Sequence, residues 1–292
     1  MFIVTLIAAD RLESGDISAA EDALRGAGVE PGGRSWIEPD TACDILFDGS
    51  PDRARIALEG EVAGSDVVVQ REARRRKTLL LADMDSTIIT VECIDELADY
   101  AGVKLQVAEI TERAMRGELP FEAALRERVA LLVGLDEQVL GRCYEERVRL
   151  TPGAETLVRT MKRHGAHCLL VSGGFTFFAD RVAAAAGFDR AISNRLGIEA
   201  GRLTGRVDGP IVGAAHKRQA LLDAAAQRNV DLADILAVGD GANDIPMLEA
   251  AGLGVAYHAK PAVAAIAGAG IDAGDLTALL FAQGYARSEW VV

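Results

Sequence analysis

An excess of positive charge, paired cysteines and long apolar runs are all missing from this sequence. Acidic residues outnumber basic ones by 44 to 31, which leaves a formal net charge of −13. We therefore expect no nucleic-acid partner, because such a partner needs a basic face. The four cysteines (Cys43, Cys93, Cys143, Cys168) form no CxxC pair and have no histidine at zinc-ligand spacing. We interpret them as reduced and structural, which favours a cytoplasmic location.

No apolar segment reaches the length that is needed to cross a membrane. Residues 1–9 are apolar, but they lack a basic leader and are far too short to span a bilayer. Hydrophobic residues, by contrast, make up half of the 292 residues. That is enough for a sizeable core, in one large domain or two ordinary ones. We expect no membrane partner.

The first 70 residues have the pattern of a small α+β unit. The predicted elements are a strand at 1–9, a helix at 17–28, strands at 35–37 and 43–47, a helix at 50–63 and a strand at 66–70. This order is typical of a ferredoxin-like domain. No catalytic constellation is visible in it, so we predict a role in packing or dimerisation. The basic run at 71–77, REARRRK, is interpreted as a solvated linker.

The chain is organised around residues 77–90, KTLLLADMDSTIIT. Residues 78–82 have the length and apolar character of a central strand in a parallel sheet, which helices cover on both faces. Asp83 and Asp85 follow where that strand ends, which is where ligands bind in open α/β sheets. A divalent cation that prefers oxygen ligands, such as Mg²⁺, would relieve the repulsion between them. On this pair alone, solvated loop carboxylates or a helix N-cap are the commoner explanation.

Residues 91–163 have helical spacing and no strand pattern. We predict a helical cap at about 92–163, inserted after the first core strand and long enough to cover a site as a lid. Gly102 and Gly117 are candidate hinges, although a glycine here is as easily a helix cap.

Strands and helices alternate after the cap. Strands are predicted at 166–171, 235–238 and 252–256, a hairpin within 190–212, and helices at 175–186, 214–228, 243–251, 260–267 and 276–283. Such alternation predicts a doubly wound parallel sheet in an α/β domain over 78–292.

Polar groups follow each of the three central strands. After Asp83 and Asp85, the later strands end at Ser172-Gly173-Gly174 and at Gly239-Asp240-Gly241, with Asn243 and Asp244 behind, and Lys217 lies in the helix between. Two glycines after a hydroxyl let backbone N–H groups approach an anion. A lysine adds a point charge for phosphate, and carboxylates suit Mg²⁺. Each motif alone has an ordinary explanation as a turn, a solvated residue or a cap, but the set in this order points to one site.

The order DMDST, SGG, a lone lysine and GDGAND resembles the four-motif pattern of the haloacid-dehalogenase superfamily of phosphatases. Within it, the chain is similar to the phosphoserine phosphatases. The finer matches are Glu92 in TVECIDE, Met115-Arg116-Gly117 before Pro120-Phe121, LRERV at 125–129 and YHAKP at 257–261. The resemblance covers about 77–270. Residues 1–70 resemble, more weakly, the ACT-like domain that some members carry.

The resemblance implies a role for each motif residue. Asp83 would be the nucleophile that forms an aspartyl phosphate, and Asp85 the general acid and base. Mg²⁺ would be held by Asp83, the main-chain carbonyl of Asp85, and Asp240. Ser172, Gly173 and Lys217 would bind the phosphate oxygens, and Asn243 would assist in binding the phosphate. Asp244 would support the metal from outside its set of direct ligands.

Substrate choice would depend on the cap. Glu92 has the right charge for the ammonium of phosphoserine and Arg128 for its carboxylate, which an arginine can grip with two hydrogen bonds. Either residue could instead be a surface charge on an amphipathic helix. Met115 and Phe121 would be apolar walls of the lid.

The expected activity is Mg²⁺-dependent hydrolysis of phosphoserine, the last step of serine biosynthesis, by a possible homodimer. Two alternatives stay open. The same chemistry could serve another small phosphomonoester, or transfer the phosphoryl group to a second alcohol such as homoserine. The chain could also be a non-enzymatic amino-acid sensor with an inactive core, and the N-terminal unit could bind serine as a regulator.

Overall fold

The computed structural model describes residues 1–116 and 118–292, and of Met115 only the backbone. The predicted hinge Gly117 and the predicted lid wall formed by the Met115 side chain therefore lie outside what is described.

The strands are β1 (Phe2–Ala8), β2 (Glu30–Glu38), β3 (Ala42–Asp48), β4 (Ser65–Arg71), β5 (Leu79–Ala82), β6 (His167–Phe175), β7 (Arg190–Glu199), β8 (Arg202–Asp208), β9 (Ile235–Gly239), β10 (Leu253–Tyr257) and β11 (Ala269–Ile271). The helices are α1 (Ser14–Gly26), α2 (Pro51–Leu58), α3 (Cys93–Tyr100), α4 (Lys104–Met115), α5 (Phe121–Ala130), α6 (Gln138–Arg147), α7 (Ala154–Arg163), α8 (Thr176–Ala186), α9 (Ala214–Arg228), α10 (Ile245–Ala250), α11 (Pro261–Ala264) and α12 (Ala278–Ala282).

The N-terminal unit is a four-stranded sheet in the order β2-β3-β1-β4, with every neighbouring pair antiparallel. Together with α1 and α2 this is the predicted ferredoxin-like arrangement. One face of the sheet packs on the two helices, and the other contributes Ile7, Ala42 and Val68 to the core of the larger unit. The similarity of this unit to ACT-like domains stays a prediction.

Most of the basic run at 71–77 is exposed, as expected of a solvated linker, but Arg75 is half-buried and Lys77 is buried. The role of the run as a linker stays a prediction. Arg75 forms an ion pair of 2.6 Å with the buried Asp44 and donates to the carbonyls of Phe281 and Ala282. Arg76 bonds to Glu289 at 2.9 Å. The two units pack directly against each other, so the cations at their junction lie beside acceptors from both.

The larger unit is built on a seven-stranded sheet in the order β11-β10-β9-β5-β6-β7-β8. Every neighbouring pair is parallel except the β7–β8 hairpin. The central strand β5 is fully buried, with Leu80 and Ala82 in one hydrophobic cluster and Leu79 and Leu81 in another. The prediction of a doubly wound parallel sheet is confirmed. The edge strand β11 was not predicted, because its three residues, Ala-Gly-Ile, are too few for a periodic pattern.

The cap helices α3 to α6 pack on one another, and α5 also contacts β8. The next helix, α7, packs instead against β6 and α8 of the core. The domain boundaries, including the end of the cap near residue 163, stay a prediction.

The four cysteines are free and buried. Within residues 1–116 and 118–292, no helix combines the length and the apolar character that a membrane crossing requires.

Candidate active site

The chain makes a tight turn where β5 ends. Residues Met84–Ile88 form a single wide helical turn, and Asp83 caps it by accepting the Met84 N–H at 2.7 Å. Asp85 and Ser86 depart from helical geometry, with Ser86 at a φ of +57°. This reversal brings the Asp85 carboxylate to the start of α3, where Oδ1 accepts the N–H of Cys93 at 2.9 Å. The two carboxylates of the motif thus have separate surroundings.

Three carboxylates from two adjacent strand ends converge at this edge of the sheet. One oxygen each from Asp83, Asp240 and Asp244 lies within 4.8 Å of the others. The buried Lys217 ammonium is 2.7 Å from Asp83 Oδ1 and 2.7 Å from Asp244 Oδ1. Thr87 donates to Asp240 at 2.9 Å. Three potential negative charges therefore face a single ammonium.

The pKa values of these groups reflect that imbalance. Burial, followed by the charge of Asp83, raises the pKa of Asp240 to about 6 and also raises that of Asp244. Burial alone would lower the pKa of Lys217, but the carboxylates of Asp244 and Asp83 outweigh it and raise that pKa. The cluster has surplus negative charge and hard oxygen donors, so it fits a divalent cation.

The Ser172-Gly173-Gly174 loop lies beside Asp85. Ser172 Oγ accepts the N–H of Gly174 at 2.8 Å and donates to Asp85 Oδ2 at 3.4 Å. A Cβ on Gly174 would lie 2.5 Å from Asp85 Oδ2, and one on Gly173 would lie 3.0 Å from the Phe121 ring. A side chain at position 174 would displace Asp85, and one at position 173 would press on the Phe121 ring, so the two glycines allow the loop to lie close to both.

Asn194, which the sequence pattern did not predict as a site residue, connects two loops of the site. Its Nδ2 donates to the Gly173 carbonyl at 2.8 Å, and its Oδ1 accepts the Val212 N–H at 2.7 Å. The side chain is only 1% exposed. An asparagine inside a strand is disfavoured by propensity, and that anomaly was the one signal the sequence offered.

The predicted substrate-recognition residues lie on the cap side of the site. Glu92 is exposed, and its Oε1 accepts the Ser86 hydroxyl at 2.7 Å. Partial desolvation beside the site, followed by the charge of Asp85, raises the Glu92 pKa to about 8. Arg128 donates from Nε to the Ala124 carbonyl at 3.3 Å and from Nη1 to Thr111 Oγ1 at 3.4 Å. Burial lowers the Arg128 pKa, whereas the carboxylates of Asp95, Glu92 and Asp85 oppose that change. Asp95 was not among the predicted site residues.

Phe121 closes the space between the cap and the core. Its ring lies against Gly173 and Gly213, where added Cβ atoms would come within 3.0 and 3.2 Å of it. Outside it is a cleft of about 500 Å³, lined among others by Arg126 and His216. Asn243 is half-buried in the loop between Asp240 and Asp244. The structure thus brings the predicted residues of all four motifs to one edge of the sheet.

Comparisons with known proteins agree with this geometry. The model of the haloacid dehalogenase-like hydrolase family matches residues 80–249. A phosphoserine phosphatase of Archaeoglobus fulgidus is 45% identical over 234 residues, which are 80% of this chain and 68% of that protein. One of Albidiferax ferrireducens is 51% identical over 207 residues, 69% of this chain and 87% of the relative.

A solved structure extends the similarity to the N-terminal unit. The unliganded probable phosphoserine phosphatase of Vibrio cholerae superposes with a TM-score of 0.77 at 36% identity, covering 99% of this chain and 87% of that one. The chain therefore belongs to the haloacid dehalogenase-like hydrolases and, within them, to the phosphoserine phosphatase family.

Proposed function

We propose that this protein hydrolyses O-phospho-L-serine to L-serine and inorganic phosphate through an aspartyl-phosphate intermediate. The observation that carries the proposal is that two opposite charges of the cap, Glu92 and Arg128, both interact electrostatically with Asp85, and that Glu92 bonds to Ser86 in the same motif. An anion and a cation on the cap complement the ammonium and the carboxylate of phosphoserine. A generic phosphatase would need neither charge.

The geometry of Asp83 supports its role as the nucleophile. The hydrogen bonds described for it, from Met84 N–H and from Lys217, both fall on Oδ1. The carboxylate is therefore held in place with Oδ2 available to attack phosphorus while the bond to the serine oxygen breaks. The Lys217 ammonium has three donors, of which the two carboxylates use two, so that one is left for a phosphate oxygen.

Asp85 would supply and recover the proton. Burial raises its pKa to about 6, although the N–H of Cys93 opposes the shift. A carboxyl poised near the operating pH can protonate the leaving serine oxygen and then, as a carboxylate, remove a proton from the water that cleaves the aspartyl phosphate. Its Oδ2 lies beside Ser172, at the loop proposed to hold the phosphate.

We assign the acidic cluster to Mg²⁺, held by Asp83, the main-chain carbonyl of Asp85 and Asp240, with Asp244 behind. When bound, the ion would screen the carboxylate from the phosphate and neutralise developing charge. Ser172, Gly173 and Asn243 would bind the phosphate oxygens.

The free cysteines support a cytoplasmic enzyme, and the net charge argues against a nucleic-acid partner. A homodimer and a place at the end of serine biosynthesis belong to the same proposal.

The proposal is tested by phosphate release, with and without Mg²⁺, from phosphoserine, phosphoethanolamine, p-nitrophenyl phosphate and a panel of sugar phosphates. We expect a strong Mg²⁺-dependent preference for phosphoserine. A preference for a sugar phosphate would refute the substrate assignment, and no release from any ester would favour the sensor alternative.

Replacing Arg128 with alanine should lower kcat/KM for phosphoserine by about 30-fold or more, which corresponds to roughly 2 kcal/mol for a lost partly buried ion pair. Phosphoethanolamine keeps the phosphate and the ammonium but lacks the carboxylate, so its kcat/KM should change by less than about threefold. Steady-state kinetics of both esters measure the difference. Arg126→Ala, at an exposed arginine of the same helix, is the matched control. Equal losses for the two esters would argue against recognition of the carboxylate by Arg128.

The raised pKa of Glu92 predicts a pH dependence that is specific to phosphoserine. Below about pH 8 the free carboxyl is largely neutral, and above it the anion that an ammonium requires is present. The ratio of kcat/KM for phosphoserine to that for p-nitrophenyl phosphate should therefore rise by up to about 50-fold between pH 6 and pH 8, because the ionised fraction of Glu92 rises from about 1% to about 50%. Glu92→Gln, which cannot ionise, should abolish that rise, whereas Glu122→Gln on the exposed cap surface should keep it. A ratio independent of pH in the unmodified enzyme would contradict the prediction.

A further inference from the structure

The phosphate-site loop interrupts the pairing of β6 with β7. The parallel register runs through Val171 opposite Ile192 and resumes only with Phe175 opposite Asn194. Four steps along β6 thus correspond to two along β7, and residues 172–174 arch out of the sheet. Such an arch removes the Gly173 carbonyl from the ladder, and a buried carbonyl needs another donor.

The side chain of Asn194 supplies that donor. Its amide nitrogen bonds to the Gly173 carbonyl at 2.8 Å and lies 3.4 Å from the Val212 carbonyl. Its amide oxygen accepts the Val212 N–H at 2.7 Å. The backbone of Asn194 is held in turn, because its carbonyl accepts the Thr176 hydroxyl at 2.9 Å. One buried amide therefore uses both its donor and its acceptor on loops that are far apart in sequence.

The second loop leads to the catalytic lysine. Val212 precedes Gly213, the N-cap of α9, and the Lys217 N–H bonds to the Gly213 carbonyl at 2.9 Å. The Lys217 ammonium then contacts Asp83 and Asp244. The position of Val212 thus sets where α9 begins and, through one helical turn, where the ammonium lies.

We propose that Asn194 is a positioning residue for phosphoryl transfer, which fixes the distance between the Ser172–Gly174 loop and the helix that carries Lys217. This inference rests on the proposed function, since it concerns the same phosphate site. Asn194 lies outside the four motifs and contacts neither the cap charges nor the acidic cluster in the described contacts. It acts on the phosphate and leaves the recognition of the serine part unchanged.

The side chain must donate one hydrogen bond and accept another, and asparagine does both in one plane. An aspartate of the same shape could still accept the Val212 N–H, but its second oxygen would face the Gly173 carbonyl oxygen and repel it. Asn194→Asp therefore replaces the donor that faces the Gly173 and Val212 carbonyls, while it preserves volume and the contact with the Val212 N–H. Asn194→Ala removes all three contacts.

The test measures kcat and KM of both variants with phosphoserine, phosphoethanolamine and p-nitrophenyl phosphate, and their inhibition by inorganic phosphate. We expect kcat/KM to fall by about 10- to 100-fold and by a similar factor for all three esters, and inhibition by phosphate to weaken in parallel. The ratio between phosphoserine and phosphoethanolamine should stay within about threefold. Arg195→Ala is the control, because Arg195 is the next residue of the same strand but is exposed.

Thermal melting of each variant separates positioning from folding. The inference is overturned if folded Asn194→Asp binds phosphate and turns over all three esters as the unmodified enzyme does. It is also overturned if the loss is confined to phosphoserine. If Asn194→Ala does not fold, the isosteric Asn194→Asp carries the test. A failure of the proposed substrate would appear in the unmodified enzyme as a lack of preference for phosphoserine, and the common loss across esters would still be measurable.

Discussion

Replacing Asp83 with asparagine is expected to lower turnover of phosphoserine by at least about a thousandfold. The amide is a poor nucleophile and cannot form the acyl phosphate, so the two-step route is closed rather than slowed. The substitution also removes one of the two carboxylates that hold the Lys217 ammonium. Phosphate release under saturating phosphoserine and Mg²⁺ measures the loss.

Isolation of the covalent phosphorylated enzyme tests the role of Asp83 as the nucleophile in a second, independent way. Acid quenching of the unmodified enzyme during turnover of radiolabelled phosphoserine should leave phosphate on the protein in a form that hydroxylamine releases. Asp83→Asn should retain no label. Asp99→Asn, an exposed acid on α3, should label and turn over normally. Substantial turnover by Asp83→Asn, or label that persists in it, would show that another residue is the nucleophile.

The features that could be predicted from the sequence are those that depend on the pattern of residues within one segment. The apolar run from Leu79 to Ala82 has the length of a strand rather than a helix, and its four buried side chains need cover on both faces of the sheet because successive side chains point to opposite faces. The carboxylates that follow it were then placed at the ligand-binding edge by the rules of parallel sheets. The order of the motifs along the chain completed the candidate site without any knowledge of distances.

Contacts between distant segments could not be predicted in the same way. The basic run suggested solvation, yet Arg75 bonds to Asp44 in the other sheet and to carbonyls near the C-terminal end. Asn194 serves the site only because a bulge in β6 leaves the Gly173 carbonyl near its amide. Periodicity and propensity describe one segment at a time, so they do not reveal which distant group a side chain meets.

Asp95 illustrates the same limit within the cap. Its Oδ1 is buried without a hydrogen-bond partner among the described residues, and its charge acts on Arg128 from the opposite helix. In sequence it is one of two acids in the first turn of α3, a position that acids favour for the helix dipole alone. Only the packing of α3 against α4 and of α4 against α5 brings it into the electrostatic surroundings of the proposed carboxylate site.

Asp85→Asn should separate the two chemical steps. The substitution preserves shape, and the side-chain oxygen can still accept the Cys93 N–H. Phosphoserine needs a proton on its leaving oxygen, so its turnover should fall by about 10²- to 10⁴-fold. The p-nitrophenolate ion leaves without that proton, so the first step with p-nitrophenyl phosphate should still proceed. No carboxylate then remains to activate water, and the phosphorylated enzyme should accumulate.

The expected record in rapid-mixing absorbance measurements is therefore a burst of about one equivalent of p-nitrophenolate per active site, followed by a slow steady state. The unmodified enzyme should show no burst if hydrolysis of the phosphorylated enzyme is as fast as phosphoryl transfer to Asp83. Ser172→Ala tests the neighbouring group, because it removes the hydroxyl that bonds Asp85 Oδ2 but leaves the proton donor in place. It should slow both esters without a burst. If Asp85→Asn instead slows both esters equally and gives no burst, Asp85 serves to position Asp83 rather than to transfer protons, because a residue needed only for geometry would impair the first step whatever the leaving group.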